Sequence, residues 1–240
     1  MSECIIIPAR YESTRFPGKP LAKINGKEMI LHVVERCCQA LPKKDVYIAT
    51  DNLKIADCCT GEGCQVLMTP KCETGMIRAA EAAKYLDYEI IVNVQGDEPL
   101  VDPEDIRNVI KLKKKYPDTA INCYGIVHTE HEDINNPNTI KVLILNNRLL
   151  YMSRSPIPYN SKGWYSKQIC IYAFYRTQLL SLYENRYSIK KMSYEDCEGI
   201  DILRCVEHDK PVYMHRITNI YQSVDIPEDI SKVEKILNEK

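Results

Sequence analysis

The run Glu89-Ile90-Ile91-Val92-Asn93-Val94-Gln95 constrains the fold more than any other stretch of the chain. It is apolar and β-branched without the alternation that leaves one face wet, so it reads as a central strand buried on both faces. Strands of that kind belong to parallel sheets, whose crossovers need helices. The first half supplies them. Cys4 to Ile7, Val46 to Thr50 and Gln65 to Met68 read as further strands, and Lys27 to Cys38, Leu53 to Thr60 and Met76 to Leu86 as helices. Asp51-Asn52 is a helix cap, and Asp102-Pro103-Glu104-Asp105 opens another helix with carboxylates at its positive end.

The second half is less regular. Thr119 to Val127, Gln168 to Tyr175 and Pro211 to Arg216 read as strands, and Ile140 to Leu145 with Leu149 to Met152 as a hairpin about Asn146-Asn147-Arg148. Thr177 to Tyr187, Tyr194 to Glu207 and Pro227 to Asn238 read as helices. At 240 residues and 45% hydrophobic content the chain can bury a full core as one unit. The expectation is a single α/β domain over 1–240. Its sheet is twisted, mixed and mostly parallel, with helices on both faces and a hairpin excursion at about 136–160.

Where the first strand ends, Arg10 begins a loop that holds three cations (Arg10, Arg15, Lys19), the hydroxyl pair Ser13-Thr14 and the turn Pro17-Gly18. A buried strand running into such a loop is how α/β proteins present N–H groups and cations to phosphates. Read alone, it is equally a solvated basic turn. A net charge of −1 argues against nucleic acid as the partner and for a small anionic ligand. No apolar run approaches the ~18 residues of a membrane span, and the opening run is too short for a signal peptide. Eleven cysteines occur without one Cys-x-x-Cys, and two adjacent pairs suit no disulfide or zinc framework. They are expected to be reduced thiols serving as small apolar residues in a cytoplasmic protein. His128-x-x-His131 hints at metal by spacing, but it lies in a polar segment and reads as solvated.

Two acidic stretches carry further chemistry. Gln95-Gly96-Asp97-Glu98-Pro99 puts a carboxylate just past the central strand, where it can hold a divalent cation against phosphates or simply end the strand in a turn. Ser223-Val224-Asp225-Ile226-Pro227-Glu228-Asp229 is by itself a helix N-terminus with acids matching the dipole.

These motifs share a specific resemblance. Ile7-Pro8-Ala9-Arg10-Tyr11, continuing through Ser13-Thr14-Arg15-Phe16-Pro17-Gly18-Lys19-Pro20-Leu21, resembles the nucleotide-binding signature of the sugar nucleotidyltransferases, above all the 3-deoxy-manno-octulosonate cytidylyltransferases (CMP-Kdo synthetases). The resemblance implies a Rossmann-like nucleotidyltransferase fold, CTP and an acidic sugar as ligands, Mg²⁺ as cofactor and a homodimer formed through the hairpin. It assigns the CTP triphosphate to Arg10, Ser13, Arg15 and Lys19. Asn93-Val94-Gln95-Gly96-Asp97-Glu98-Pro99 is similar to the family's metal motif, which makes Asp97 the Mg²⁺ ligand and Gln95 a nucleoside or sugar contact. The stretch at Asp225 is similar to the motif that completes the metal site. Two carboxylates meeting there would repel without a cation between them. Asn136 to Val142 resembles the segment that leads into the dimer-forming hairpin, with Lys141 facing the active site as a substrate contact, and Leu150 to Tyr159 resembles the sugar-site loop, with Arg154 as the candidate for the acid sugar's carboxylate. Alone, Lys141 and Arg154 read as an outward strand residue and a solvated loop cation. Lys19, Arg15, Asp97 and Asp225 are the implied catalytic set.

The departures are concentrated. Where the family has His-x-Ser-Gly-Thr-Asp/Glu-Arg, this chain has Cys72-Glu73-Thr74-Gly75-Met76-Ile77-Arg78, which keeps Thr74 and Arg78 as nucleotide contacts. In Lys167-Gln168-Ile169-Cys170-Ile171-Tyr172 the family's His is Gln168 and its Gly is Cys170, with Tyr172 retained. Along Tyr194 to Arg204, Glu198 aligns, Asp201 replaces Glu and Ile202 replaces Gln. Gln168, Tyr172, Glu198 and Asp201 are thus the expected sugar contacts, and the changes at Gln168 and Ile202 point to a sugar altered at its tail. Two rivals stay open: a same-fold enzyme for another sugar or nucleotide, and a silent nucleotide-binding protein.

Overall fold

The computed structural model describes residues 1–12, 15–130, 132–184 and 193–239. Ser13, His131 and the end of the helix expected to reach Tyr187 lie outside the described residues. The first half runs β1 (Glu3–Ala9), β2 (Lys23–Ile24), β3 (Lys27–Glu28), α1 (Met29–Ala40), β4 (Val46–Thr50), α2 (Leu53–Gly61), β5 (Gln65–Met68), α3 (Gly75–Ala83), β6 (Ile90–Val94) and α4 (Pro103–Lys115). The second half runs β7 (Ala120–His128), β8 (Lys141–Leu145), β9 (Arg148–Ser153), β10 (Trp164–Tyr175), α5 (Arg176–Glu184), α6 (Tyr194–Glu198), α7 (Leu203–Glu207), β11 (Val212–Arg216) and α8 (Asp229–Asn238). No helix among the described residues is long and apolar enough to cross a membrane.

β6 is buried at every position, as its composition requires. The main sheet has the order β5-β4-β1-β6-β10-β7-β11-β9-β8, and its first four strands are parallel. The chain moves outward from β1 through β4 to β5, then returns to the far side of β1 for β6. That reversal opens a crevice at the carboxyl ends of β1 and β6, the place where such sheets bind ligands. Side chains alternate along β1, so Ile5 and Ile7 join one core with α1, α2 and α4, while Cys4 and Ile6 join a second with α3, α5 and α7. Helices therefore cover both faces. Cys4, Cys37, Cys59, Cys123 and Cys205 are fully buried in these cores as small apolar side chains. Asn52, Thr74 and Asp102 cap α2, α3 and α4 through their side-chain oxygens.

The expectation of a mostly parallel sheet holds for this half only. β10 is antiparallel to β6, β7 and β8, and β9 is antiparallel to β8 and β11; β7 with β11 is the one parallel pair there among the described strands. A short turn forces antiparallel neighbours, and the β8–β9 turn is built on Asn146 and Asn147 at φ 50° and 61°. The single helix expected over Tyr194 to Glu207 is also corrected. Gly199, at φ 62°, takes the left-handed conformation, donates to the Glu195 carbonyl at 2.8 Å and closes α6.

β10 changes register between Ile169 and Tyr172. The Asn122 amide nitrogen, from β7, donates to the carbonyls of Ile169 at 3.0 Å and Ile171 at 2.9 Å, so the bulge leaves neither unpaired. Asn122→Ala is expected to lower stability by about 2–4 kcal/mol, because two buried acceptors lose their donor; urea unfolding measures it.

Candidate active site

The site begins where β1 and β6 end. A Cβ placed on Gly96 would lie 2.9 Å from the Pro8 carbonyl, so only glycine lets the two segments approach this closely. The cationic loop folds back over them, with Gly18 N donating to the Tyr11 carbonyl at 2.9 Å. Lys19 Nζ then donates to Asp97 Oδ2 at 2.6 Å and to the Val224 carbonyl at 2.8 Å. Val224 N in turn donates to the Asp97 carbonyl at 3.0 Å. Arg15 pairs with Asp225 Oδ1 at 3.1 Å and also donates to Asn138 Oδ1. The two acidic stretches, far apart in the chain, are thus brought together and each is held by a cation of the loop. Burial and then the nearby Asp97 charge push the Asp225 carboxyl upward, while Lys19 and Arg15 oppose the rise.

On one side of Asp97 the crevice is lined by Arg10, Lys19, Thr74, Gly75, Arg78 and Gln95. Arg10 donates to the Glu73 carbonyl at 3.3 Å, and Gln95 Nε2 to Asn93 Oδ1 at 3.3 Å. Arg78 is 2% exposed and donates to Thr69 Oγ1 at 2.7 Å and Asp51 Oδ2 at 3.0 Å. Asp51 and Thr69 were not foreseen in this role. Their signal is that each directly follows a strand at the carboxyl edge.

On the other side lies a second pocket, lined by Glu98, Asn138, Arg154, Lys167, Gln168 and Cys170, together with Asp97 and Asp225. Lys141 does not stand outward on its strand. It is fully buried and donates to the carbonyls of Asn136 at 2.9 Å, Thr139 at 2.8 Å and Arg154 at 2.5 Å. Nor is Arg154 a free loop cation: it donates to the carbonyls of Glu198 at 2.6 Å, Pro137 at 2.8 Å and Gly199 at 3.2 Å. Glu198 accepts from Ser153 Oγ at 2.7 Å and Arg154 N at 2.8 Å, which locks the end of β9 to α6. Lys167 pairs with Glu132 at 2.9 Å.

The expected sugar contacts therefore divide. Gln168 lines the pocket, and its Nε2 donates to Asn122 Oδ1 at 3.1 Å and Tyr172 Oη at 3.2 Å, so Tyr172 serves from beneath. Asp201 instead sits beside the Thr74 hydroxyl and Met76 N–H at the start of α3; burial pushes its carboxyl upward against them. Ile202 is wholly in the second core. Glu98, Asn138 and Lys167 are pocket residues that sequence reasoning did not single out, although all three stood inside quoted motifs. Glu98 is 4% exposed, and among the described residues its Oε2 has no hydrogen-bond partner. Burial pushes its carboxyl up to about 8, with the Asp97 charge adding and Lys167 opposing. Among the described residues, no three His, Cys, Asp or Glu side chains cluster as a metal site.

A cationic loop bound to paired carboxylates at the switch point of an α/β sheet is the site of a nucleotidyltransferase. Residues 4–224 match the cytidylyltransferase family, and the chain belongs to it. It is 39% identical to the 3-deoxy-manno-octulosonate cytidylyltransferase of Myxococcus xanthus (strain DK1622), covering 97% of this chain and 95% of that protein. It is 38% identical to the 8-amino-3,8-dideoxy-manno-octulosonate cytidylyltransferase of Shewanella sp. (strain W3-18-1), over 99% of both. The solved structure of a CMP:2-keto-3-deoxy-manno-octonic acid synthetase complexed with CTP superposes with a TM-score of 0.88 at 31% identity, covering 100% of this chain and 99% of that one.

Lys141→Met removes the donor of three carbonyls that define the 136–154 segment. It is expected to cost about 2–4 kcal/mol, read as a lower urea midpoint, and to raise the KM for the acceptor more than that for the nucleotide.

Proposed function

We propose that this chain transfers the cytidylyl group of CTP to the anomeric hydroxyl of a 3-deoxy-2-ulosonic acid, making a CMP-sugar for cell-surface glycan synthesis. The observation that carries this is the cationic loop held between two pockets, one at the switch point and one lined by Arg15, Arg154 and Lys167. The relatives' names cover two acceptors, the octulosonate and its 8-amino-3,8-dideoxy form, and both belong to this class.

The anomeric hydroxyl oxygen attacks the α-phosphorus as its proton passes to solvent, an O–P bond forms, and the bond to the β-phosphate oxygen breaks to release pyrophosphate. Arg10, Arg15 and Lys19 offset the charge gathering on the leaving group. Arg154 and Lys167 suit the carboxylate of the acid sugar. Asp97 and Asp225 are the residues that would hold Mg²⁺: both are hard oxygen donors, and their mutual repulsion is what a dication relieves. When bound, Mg²⁺ supplies charge stabilisation at the α-phosphate and a lower pKa for the attacking hydroxyl. Exposed Leu145 and Leu150 on the β8–β9 hairpin, with Trp164 on β10, support a homodimer through this face. The buried thiols fit the reducing cytoplasm.

Pyrophosphate release from each NTP with Mg²⁺ and a panel of acid sugars tests the reading, with CTP and an ulosonic acid expected to be the productive pair. Asp97→Asn is expected to abolish turnover while the circular dichroism spectrum is retained; near-normal release by that variant overturns the metal assignment. Lys19→Ala is expected to lower kcat as well as raise the KM for CTP, since charge on the leaving group builds during reaction. A change in KM alone would make Lys19 a ground-state anchor.

A further inference from the structure

The bonds that hold the last acidic segment at the site are of two kinds. Arg15 pairs with Asp225 Oδ1 at 3.1 Å, and Lys19 donates to Asp97 Oδ2 at 2.6 Å and to the Val224 carbonyl at 2.8 Å. A triphosphate attracts both cations, so these bonds weaken as it binds. Keeping Asp225 beside Asp97 at that moment requires contacts for which no phosphate competes.

The backbone has them. The N–H groups of Val224, Asp225 and Ile226 are all committed. Val224 N donates to the Asp97 carbonyl at 3.0 Å. Asp225 N and Ile226 N both donate to Asp229 Oδ2, at 3.0 and 3.2 Å. Pro227 has no N–H to offer, and Asp229 reaches back past it. The other oxygen of Asp229, Oδ1, accepts from Lys232 Nζ at 2.8 Å. Asp229 is 6% exposed and is itself an acid, so a triphosphate does not draw it away.

A side chain that reaches back three residues, to Ile226 N, is an ordinary way to start a helix. That bond alone would serve only α8. The second bond falls on Asp225, the residue whose carboxylate forms the site. Fixing its N–H restricts the rotation of its backbone, and with it the direction in which the side chain leaves the chain.

We infer that Asp229 is a positioning residue: by holding the N–H groups of Asp225 and Ile226, it keeps the Asp225 carboxylate aimed at Asp97 for a divalent cation while the nucleotide draws Arg15 and Lys19 away. This rests on the metal reading given under Proposed function and deepens it. The role is that of a hydrogen-bond acceptor, which asparagine can also fill.

The test is calorimetry of CTP binding to the full chain without an acceptor sugar, once with saturating Mg²⁺ and once with EDTA. The ratio of the two dissociation constants is the metal's contribution, read without turnover. Mg²⁺ is expected to tighten CTP binding by the unmodified protein. Asp229→Ala is expected to cut that gain by about tenfold, with the affinity in EDTA unchanged. Asp229→Asn is expected to keep most of the gain. Lys232→Met, which leaves both N–H bonds in place, is expected to keep all of it. A gain unmoved in Asp229→Ala, or lost as fully in Asp229→Asn or Lys232→Met, overturns the inference. Loss of CTP binding by Asp229→Ala in EDTA as well makes the residue a helix cap alone, and also overturns it. If Mg²⁺ does not tighten CTP binding even in the unmodified protein, the metal reading itself is wrong and this inference falls with it.

Discussion

The Lys19 ammonium is the point on which the site depends. Its side chain is only 14% exposed, so it has given up most of its water and needs strong acceptors in exchange. It finds them in Asp97, past the central strand, and in the Val224 carbonyl, near the end of the chain. Arg15 repeats the pattern with Asp225, but at 45% exposure. The Arg15–Asp225 pair, this accessible to water, adds little to stability. The effect of the two pairs is positional: they hold the cationic loop, the strand end and the last acidic segment in one geometry. In the proposed reaction the same charges change partners, since a triphosphate competes for the cations and a dication for the carboxylates. Each exchange makes the other less costly.

Around this knot the fold uses cations as clamps on backbone. Lys141 and Arg154 each hold three carbonyls, so together they fix the segment from Asn136 to Arg154 and join it to α6. A loop wall made this way is rigid because releasing any carbonyl leaves both it and the cation unsatisfied. Asn122 does the same for the bulge in β10, whose two displaced carbonyls would otherwise stand open. The bulge adjoins Gln168 and Cys170, both at the acceptor pocket. In the proposed reaction, acceptor specificity would therefore sit on a strand irregularity held from below, and the nucleotide on regular parallel strands. That division matches the sequence, where the phosphate loop keeps the family pattern and the stretch from Lys167 to Tyr172 departs from it.

The reading from residues alone reached the alternating first half, the helix caps at Asn52 and Asp102, the hairpin turn and the cationic loop. Each depends on interactions within a few residues, and composition and spacing carry that information directly. It also paired Asp97 with Asp225, through motif resemblance rather than any local signal. It read through Gly199, because an apolar helical period continues on both sides and one glycine does not forbid a helix. It extended the parallel arrangement too far, because an isolated strand carries no mark of its partner's direction. Gln168 and Ile202 looked like one altered pocket, yet Gln168 lines the wall and Ile202 is core.

What the sequence by itself determined was periodicity, turn chemistry and the inventory of charged groups near strand ends, because these are set by local sterics and by the burial each strand demands. What only the tertiary structure decided was which buried polar groups find partners. Lys141 looked outward until the carbonyls of Asn136, Thr139 and Arg154 closed on it. Glu98 looked like part of a turn until packing removed its water and left its Oε2 without a partner among the described residues. Hydrogen-bond satisfaction is a property of neighbours brought together from distant parts of the chain, and no window of sequence contains them.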